Sequence, residues 1–195
     1  MSVVLSTFEL ELNNLAPSFE LPDAWGKIHS LHHLAGKNGT LIVFACNHCP
    51  FVIHLAKALS EFAAEAAPKG LNTIVINSND LDKYPQDGPE PMKEFAAEHS
   101  WNFPYLIDQT QMIAKSYGAA CTPDFFLLDR EGKVFYTGQF DDSRPSSGKP
   151  ATGADLKAAV KSLLADQPPK KGIPSSGCNI KWKPGTEPRW FPVGR

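Results

Sequence analysis

Two cysteines separated by two residues, Cys46 and Cys49, lie between a β-rich apolar run and an amphipathic helix. The run covers residues 40–45 and is typical of a central strand that is covered on both faces. Pro50 suits the first turn of a helix, where backbone N–H groups lack partners. Apolar residues then recur at steps of three and four: Val52, Leu55, Leu59, Phe62 and Ala66. A strand that leads directly into a helix indicates the α/β class.

The rest of the chain predicts further elements of the same layered fold. Residues 73–77 form a second buried-type strand, and residues 16–21 predict an N-terminal strand extension. Residues 125–128 and 134–137 are separated by a turn and predict an antiparallel hairpin. A final amphipathic helix is expected over residues 156–164. Parallel crossovers in the first half and the hairpin in the second give a mixed central sheet with helices on both faces.

The length of 195 residues fits one domain with an extension. We predict a domain over residues 1–166 and an irregular C-terminal tail over residues 167–195, which is rich in Pro, Gly and Ser. The tail contains Trp182 and Trp190, and large aromatic residues are unusual in a disordered segment. We therefore expect it to pack on the domain or on a partner subunit, which would make the protein a homodimer.

The charge and hydropathy of the chain exclude several classes of partner. The net charge is -2 with no run of basic residues, so nothing predicts binding to nucleic acid or to an anionic membrane. No stretch approaches the roughly 20 apolar residues of a membrane helix, and the first residues do not resemble a signal peptide. We expect a cytoplasmic protein. Cytoplasmic thiols are kept reduced, so a close cysteine pair there is more often catalytic, redox-sensing or metal-binding than structural.

The position of Cys46 favours redox chemistry. A thiolate at the start of a helix faces unpaired N–H groups and the positive end of the helix dipole, which lower the pKa of a thiol. Asn47 and His48 are the two intervening residues, and an imidazolium at His48 would stabilise the thiolate further. Stabilising the thiolate makes the disulfide a stronger oxidant, by about 1.4 kcal/mol for each 30 mV. The pair is therefore expected toward the oxidising end of the range.

Other uses of the cysteines remain open on the residues alone. The pair could be half of a zinc site, with ligands from Cys121, Cys178 or the His29, His32 and His33 group, although a second Cys-x-x-Cys is absent. Buried cysteines can also pack as small inert hydrophobic side chains. A zinc-stabilised or non-catalytic interaction module is thus one alternative to an enzyme.

Several segments beyond the cysteine pair resemble one family. Residues 16–21 look like its opening strand, and Thr122-Pro123 with residues 124–127 resembles the segment that carries a cis-proline. The chain resembles the thioredoxin superfamily, more closely its thioredoxin-like, peroxiredoxin-like branch (the alkyl hydroperoxide reductase/thiol-specific antioxidant group). The resemblance covers residues 15–166 and implies the thioredoxin fold.

The resemblance also implies roles for individual residues. Cys46 would be the attacking nucleophile and Cys49 the resolving thiol, with Pro123 cis and Thr122 beside the disulfide. Backbone groups of the loop before the proline would pair with an incoming extended peptide. The implied reaction is disulfide exchange with a protein or small-molecule thiol. It needs no organic cofactor and no metal, only an external thiol reductant such as a thioredoxin or glutathione system.

Two departures from the family pattern bear on the reaction. Peroxiredoxins place Thr or Ser three residues before the peroxide-reducing cysteine and Pro four residues before that. Aligned on Cys49, these positions hold Cys46 and Ile42, so the peroxide-binding signature is missing. A peroxide-reducing antioxidant that serves cell redox homeostasis is therefore the second alternative. Thioredoxins usually carry a buried acid where this chain has Thr40, so proton handling must differ.

Two further cysteines are candidates for extra redox thiols. Cys121 lies two residues before Pro123, so the fold would bring it near the active-site disulfide, where it could act or simply pack. Cys178 lies in the tail, where an exposed thiol could resolve an intermediate, bridge two subunits or be a passive surface thiol.

Overall fold

The computed structural model describes residues 3–191 and builds them around a mixed six-stranded sheet. Along the sheet the strands are β10 (Lys170–Lys171), β9 (Val134–Gly138), β8 (Asp124–Asp129), β4 (Gly39–Phe44), β5 (Leu71–Asn77) and β6 (Tyr105–Ile107). The central strand β4 pairs parallel with β5 and antiparallel with β8, and β5 pairs parallel with β6. The predicted hairpin is confirmed, because β8 and β9 are antiparallel neighbours.

Helices cover both faces of this sheet, as predicted. They are α1 (Leu31–Leu34), α2 (Pro50–Ala66), α3 (Pro89–Glu98), α4 (Met112–Tyr117) and α5 (Ala154–Leu164). Every residue of β4 is buried, and alternate side chains point to opposite faces. Leu41 and Val43 belong to the apolar core that contains α2, α3 and α5, whereas Ile42 and Phe44 belong to the core on the α1 and α4 side.

Helix α2 positions the cysteine pair because it begins immediately after Cys49. Pro50 occupies its first position, where the missing N–H costs no hydrogen bond. The helix gives way to a 3-10 turn at Ala67–Lys69, and Gly70 closes that turn with a left-handed φ of 77°. Among the helices of residues 3–191, none has the length and apolar character that a membrane span requires.

A second, smaller sheet forms beside the cis-proline segment. It has three antiparallel strands in the order β1 (Val3–Leu5), β11 (Ser176–Asn179) and β7 (Cys121–Thr122). Within it, Cys178 lies directly opposite Thr122. The tail strand β11 is therefore joined through backbone hydrogen bonds to the segment that precedes Pro123.

The described part of the tail contacts the rest of the chain at several points. Strand β10 pairs with β9, and the indole of Trp182 is buried in the core on the α1 and α4 side. Trp190 and Phe191 pack against Trp182, with ring centroids 5.8 Å and 6.4 Å from it. Residues 1–2 and 192–195 of the predicted domain and tail lie outside the described residues, and the division at residue 166 stays a prediction.

The N-terminal strand extension is shorter than predicted. Of the predicted segment and the residue after it, only Glu20–Pro22, here β2, is a strand, and it pairs antiparallel with β3 (Ile28–Ser30). The residues before it run along the β8–β9 turn, where the N–H of Ala16 donates to the carbonyl oxygen of Gly132. Pro17 has no N–H to donate to a ladder, and its carbonyl oxygen instead accepts the hydroxyl of Tyr117.

The close pairing of β11 with β7 can be tested by adding one carbon atom. A Cβ at Gly177 would overlap the carbonyl oxygen of Thr122, although the strand backbone itself would accept alanine. We expect Gly177→Ala to lower the free energy of unfolding by about 2 kcal/mol, measured by urea denaturation. The control is Ser176→Ala in the same strand. Equal midpoints for the two variants would contradict the pairing.

Candidate active site

Cys46 and Cys49 lie at the junction between β4 and α2, as the sequence predicts. The two residues are 1% and 0% exposed, and both are free thiols. Cys49 is the N-cap residue of α2, and its carbonyl oxygen accepts the N–H groups of Val52 and Ile53. The first turn of α2 thus fixes the backbone of Cys49, whereas Cys46 lies in the segment between β4 and α2.

Thr122 contacts both sulfurs. Its peptide bond to Pro123 is cis, as the resemblance implies. The hydroxyl oxygen of Thr122 lies 3.6 Å from Cys46 Sγ, and its carbonyl oxygen lies 3.0 Å from Cys49 Sγ, so the protonated Cys49 thiol donates to that carbonyl. The backbone here was expected to be open to an incoming peptide, but in the structure it pairs with β11.

A buried carboxylate, Asp87, holds the two residues between the cysteines. Asp87 ends a 3-10 turn (Pro85–Asp87) and is fully buried. Its Oδ1 accepts the backbone N–H groups of Asn47 at 2.9 Å and His48 at 3.3 Å. Its Oδ2 accepts His48 Nδ1 at 2.7 Å and Asn79 Nδ2 at 2.8 Å. Four hydrogen bonds offset the cost of burying this carboxylate and fix the path of the chain between the two sulfurs.

The side chains of Asn47 and His48 are held in single orientations. Asn47 Oδ1 accepts the hydroxyl of Tyr105 at 2.9 Å. The imidazole of His48 stacks on the ring of Tyr84, with centroids 5.7 Å apart and planes 7° apart. Because a carboxylate only accepts hydrogen bonds, Nδ1 of His48 carries the proton that it donates to Asp87.

A hydrogen bond between the two thiols moves their pKa values in opposite directions. The Cys46 S–H donates to Cys49 and is the main reason that the pKa of Cys49 falls to about 5, although burial opposes the fall. The same interaction raises the pKa of Cys46 well above its ordinary value, and burial and the charge of Asp87 add to the rise. The sequence places the stabilised thiolate at Cys46, whereas the hydrogen bond between the sulfurs lowers the pKa of Cys49 instead.

The structure brings Cys178 to the cysteine pair but directs Cys121 elsewhere. Cys178 is 3% exposed, so it is not an exposed tail thiol, and both its thiol and its backbone N–H hydrogen-bond to Cys49. Cys121 is also buried, but its Sγ lies 3.5 Å from the carbonyl oxygen of Pro123 and 3.9 Å from that of Ser175. Burial raises the pKa of the Cys121 thiol well above its ordinary value.

One group of side chains near the pair has the donor atoms of a metal site. Cys46, His48 and Asp87 each offer one ligand atom, and the three atoms lie within 4.8 Å of one another. Thiolate, imidazole and carboxylate are the ligands that zinc takes. In the structure, however, the Nδ1 proton of His48 already links two of these donors, and both oxygens of Asp87 accept protein hydrogen bonds. A metal would have to displace these bonds.

Sequence reasoning missed Asp87, Tyr84 and Tyr105. Asp87 and Tyr84 lie in the segment 78–90, which has the polar, Gly- and Pro-bearing composition of a surface loop. One sequence signal pointed to this region. Asn79 follows β5 at the carboxyl end of a parallel strand, which is where open α/β sheets bind ligands. Nothing in the spacing of these residues from Cys46 indicates that they meet it.

Comparisons with known proteins agree with this architecture. Thiol-disulfide oxidoreductase ResA from Bacillus thuringiensis (strain Al Hakam) is 28% identical over 126 residues, which cover 65% of this chain and 68% of the relative. Two solved structures are more alike in sequence. One is an uncharacterized conserved protein from Geobacillus kaustophilus, which is 47% identical with a TM-score of 0.91 over 95% of this chain and 99% of that chain.

The other solved structure is a hypothetical protein from Sinorhizobium meliloti 1021. It is 45% identical, with a TM-score of 0.87 over 91% of this chain and 97% of that chain.

The mixed sheet, the cysteine pair at the start of α2 and the cis-proline facing it make up the thioredoxin fold. The family model described as Redoxin matches residues 11–156. Since this match spans well over half of the chain, the protein belongs to the Redoxin family.

Proposed function

We propose that the protein exchanges disulfides through Cys46 and Cys49, as a thiol–disulfide oxidoreductase. The observation that carries this function is the pair itself: two sulfurs that share a hydrogen bond at the start of α2, with the cis Thr122–Pro123 bond against them. The relatives named thiol-disulfide oxidoreductase ResA support the same enzyme class.

In the oxidising direction, electrons enter the disulfide at Cys46. A substrate thiolate attacks Cys46 Sγ, the Cys46–Cys49 bond breaks, and Cys49 leaves as a thiolate. A thiol with a low pKa leaves faster, and the pKa of Cys49 is about 5. A second substrate thiolate then attacks the substrate sulfur of the mixed disulfide, and Cys46 leaves and takes up a proton. Two substrate thiols become one disulfide, and the pair gains two electrons.

The electrostatics of the reduced pair favour this direction. A thiolate that is stabilised in the reduced form makes the disulfide more oxidising, by about 30 mV for each 1.4 kcal/mol. Hydrogen bonds from Cys46, from the Thr122 hydroxyl and from Cys178 lower the pKa of Cys49, whereas the Thr122 carbonyl oxygen accepts from the protonated thiol and opposes the thiolate. In the reverse direction Cys46 attacks a substrate disulfide, Cys49 resolves the mixed disulfide, and an external thiol reductant restores the pair.

The substrate class follows from this chemistry. The substrate is a protein or small molecule that carries a thiol pair or a disulfide, and no step requires an organic cofactor. Action in the cytoplasm as part of cell redox homeostasis stays a prediction from the sequence, and so does a homodimer. The peroxide-reducing alternative is weakened by Cys46 and Ile42 at the positions where peroxiredoxins carry Thr or Ser and Pro.

The zinc alternative rests on the Cys46, His48 and Asp87 donor set. Metal analysis of the protein purified under reducing conditions separates the two readings. We expect no stoichiometric zinc, because the donors already hydrogen-bond to one another and to the chain. One tightly held zinc ion per chain would favour the metal-stabilised module.

Single cysteine substitutions test the assignment of roles. We expect Cys49→Ser to form a stable mixed disulfide at Cys46 with oxidised glutathione, because the resolving thiol is gone, and its catalytic exchange to fall to background. Mass spectrometry of acid-quenched protein locates the adduct. Cys121→Ser, whose sulfur lies against the carbonyl oxygens of Pro123 and Ser175, is the control and should behave like the wild type.

The same variants address the peroxide alternative. If Cys49→Ser loses the adduct at Cys46, the roles proposed here are reversed. If hydrogen peroxide is consumed by the wild type and by Cys46→Ser but not by Cys49→Ser, the peroxiredoxin assignment is restored with Cys49 as the reacting cysteine.

The pH dependence of the reduction potential tests the charge on Cys49. Its pKa of about 5 lies below the value of about 8.5 for an ordinary thiol. The folded, reduced protein therefore gains stability relative to its unfolded chain as the pH rises from about 5 to about 8.5. It loses this gain as the pH falls through about 5.

Between about pH 6 and about pH 8 only one proton accompanies two electrons, so we expect the potential to fall by about 30 mV per pH unit. At neutral pH the potential should lie above about -270 mV, the value for thioredoxin. Equilibration with glutathione buffers, followed by alkylation, measures both quantities. A slope of about 60 mV per pH unit, twice the one-proton value, would show that both thiols are protonated.

The role of Asp87 can be tested by truncating it. Asp87→Ala leaves four donors near the pair without their acceptor, two of them backbone N–H groups. We expect the free energy of unfolding to fall by about 3 kcal/mol and the exchange rate to fall with it, because the path between the cysteines loosens. Asp82→Ala, on the exposed side of the same segment, is the control. Wild-type stability in Asp87→Ala would refute this role.

A further inference from the structure

Three cysteine thiols, not two, are connected by hydrogen bonds in the core of the site. Cys46 hydrogen-bonds to Cys49, and Cys49 hydrogen-bonds to Cys178. Cys178 reaches this position because β11 pairs with β7 in a register that sets it opposite Thr122, the residue in contact with both other sulfurs. All three cysteines lie in one buried apolar cluster. Cys49 is the middle sulfur.

We propose that Cys178 is a third redox thiol that forms a disulfide with Cys49. This inference rests on the proposed function, because it starts from the Cys46–Cys49 disulfide. The Cys178 thiolate attacks Cys49 Sγ, the Cys46–Cys49 bond breaks, and Cys46 leaves as the thiolate. One disulfide is exchanged for another, the proton released by Cys178 balances the one that Cys46 can take up, and no external oxidant or reductant is consumed.

The placement of β11 explains why this thiol is internal. Extended peptides bind proteins by adding a strand to an open sheet edge. At β7 the chain's own strand β11 fills that edge. The backbones come so close at Gly177 that a Cβ there would collide with the carbonyl oxygen of Thr122. The tail strand thus stands where a peptide strand would bind, and it carries a cysteine at the residue opposite Thr122.

The surroundings of Cys178 change when the pair is oxidised. Burial raises the pKa of Cys178 to about 12, and its hydrogen bond to Cys49 adds to the rise. In the Cys46–Cys49 disulfide, Cys49 carries no negative charge, so the second of these causes is removed. Lys181 acts in the opposite direction and favours the Cys178 thiolate.

Cys121 provides a matched comparison for Cys178. It is adjacent to Thr122 in β7 and equally buried, but its sulfur lies against the carbonyl oxygens of Pro123 and Ser175. Proximity in sequence to the cis-proline would favour Cys121 as the extra thiol. The contacts favour Cys178.

The decisive variant is Cys46→Ser, which leaves Cys49 with only Cys178 in direct contact among the cysteines. The reduced variant is treated with oxidised glutathione, quenched with acid, alkylated and mapped by mass spectrometry without reduction. Cys49 attacks glutathione disulfide, and Cys178 then displaces glutathione, so we expect a Cys49–Cys178 disulfide with the loss of two hydrogens as the major product. The variant Cys46→Ser/Cys121→Ser should give the same disulfide.

The double variant Cys46→Ser/Cys178→Ser should instead retain glutathione on Cys49. In the wild type, the same mapping should find the Cys49–Cys178 disulfide beside the Cys46–Cys49 disulfide. A Cys46→Ser protein that keeps glutathione on Cys49, or that pairs Cys49 with Cys121, overturns the proposal. If the wild type still cycles its Cys46–Cys49 disulfide in that case, the third thiol fails and the oxidoreductase function stands.

Circular dichroism of each variant checks that the fold is retained. As a second measurement, Cys178→Ser in an otherwise native chain keeps a hydroxyl donor beside Cys49 but cannot form a disulfide. It should lose the Cys49–Cys178 product completely while retaining the Cys46–Cys49 product. Persistence of a second disulfide in this variant would overturn the assignment.

Discussion

The buried carboxylate of Asp87 is the interaction on which the arrangement of the site depends. A carboxylate without exposure to water is tolerated only when its oxygens are fully hydrogen-bonded, and the donors here are the backbone of Asn47 and His48, the His48 ring and Asn79. The acid therefore fastens the strand–helix junction to the 3-10 turn before α3. It also holds the His48 imidazole that stacks on Tyr84.

The same acid contributes to the distribution of charge around the sulfurs, after the hydrogen bond between them and burial. Its negative charge lies on the Cys46 side of the pair and disfavours a second negative charge there. Cys49 lies on the other side, among the donors supplied by Thr122 and Cys178. The hydrogen bond between the sulfurs and the charge of Asp87 both favour the proton on Cys46. The departing group in substrate oxidation is then Cys49, the sulfur whose pKa is lowered. The helix start alone does not decide between the two cysteines, because both lie within one turn of it.

Local pattern predicted the part of the site that is built from adjacent elements. The run before Cys46 and the periodic helix after Pro50 identify the junction because both signals lie within one strand and one helix. The cis bond before Pro123 followed from the family resemblance, not from periodicity. Asp87 escaped prediction, and Cys178 was expected as an exposed tail thiol, not a buried neighbour of Cys49. Each reaches the pair through long-range contacts, one from an irregular segment and one from a four-residue strand in a Pro- and Gly-rich tail.

Strand β11, which covers the site beside Cys49, makes the site assemble in a fixed order. Contacts between residues far apart in sequence form late, since the intervening loop must first be closed. The β4–α2 junction can form from residues that are close in sequence. Strand β11 can cover Cys49 only after Asn179 has been synthesised and β11 has paired with β7. A nascent chain on the ribosome thus holds its cysteine pair without the neighbour that completes its environment. The third thiol proposed above can take part only after the tail has been translated and β11 has paired with β7.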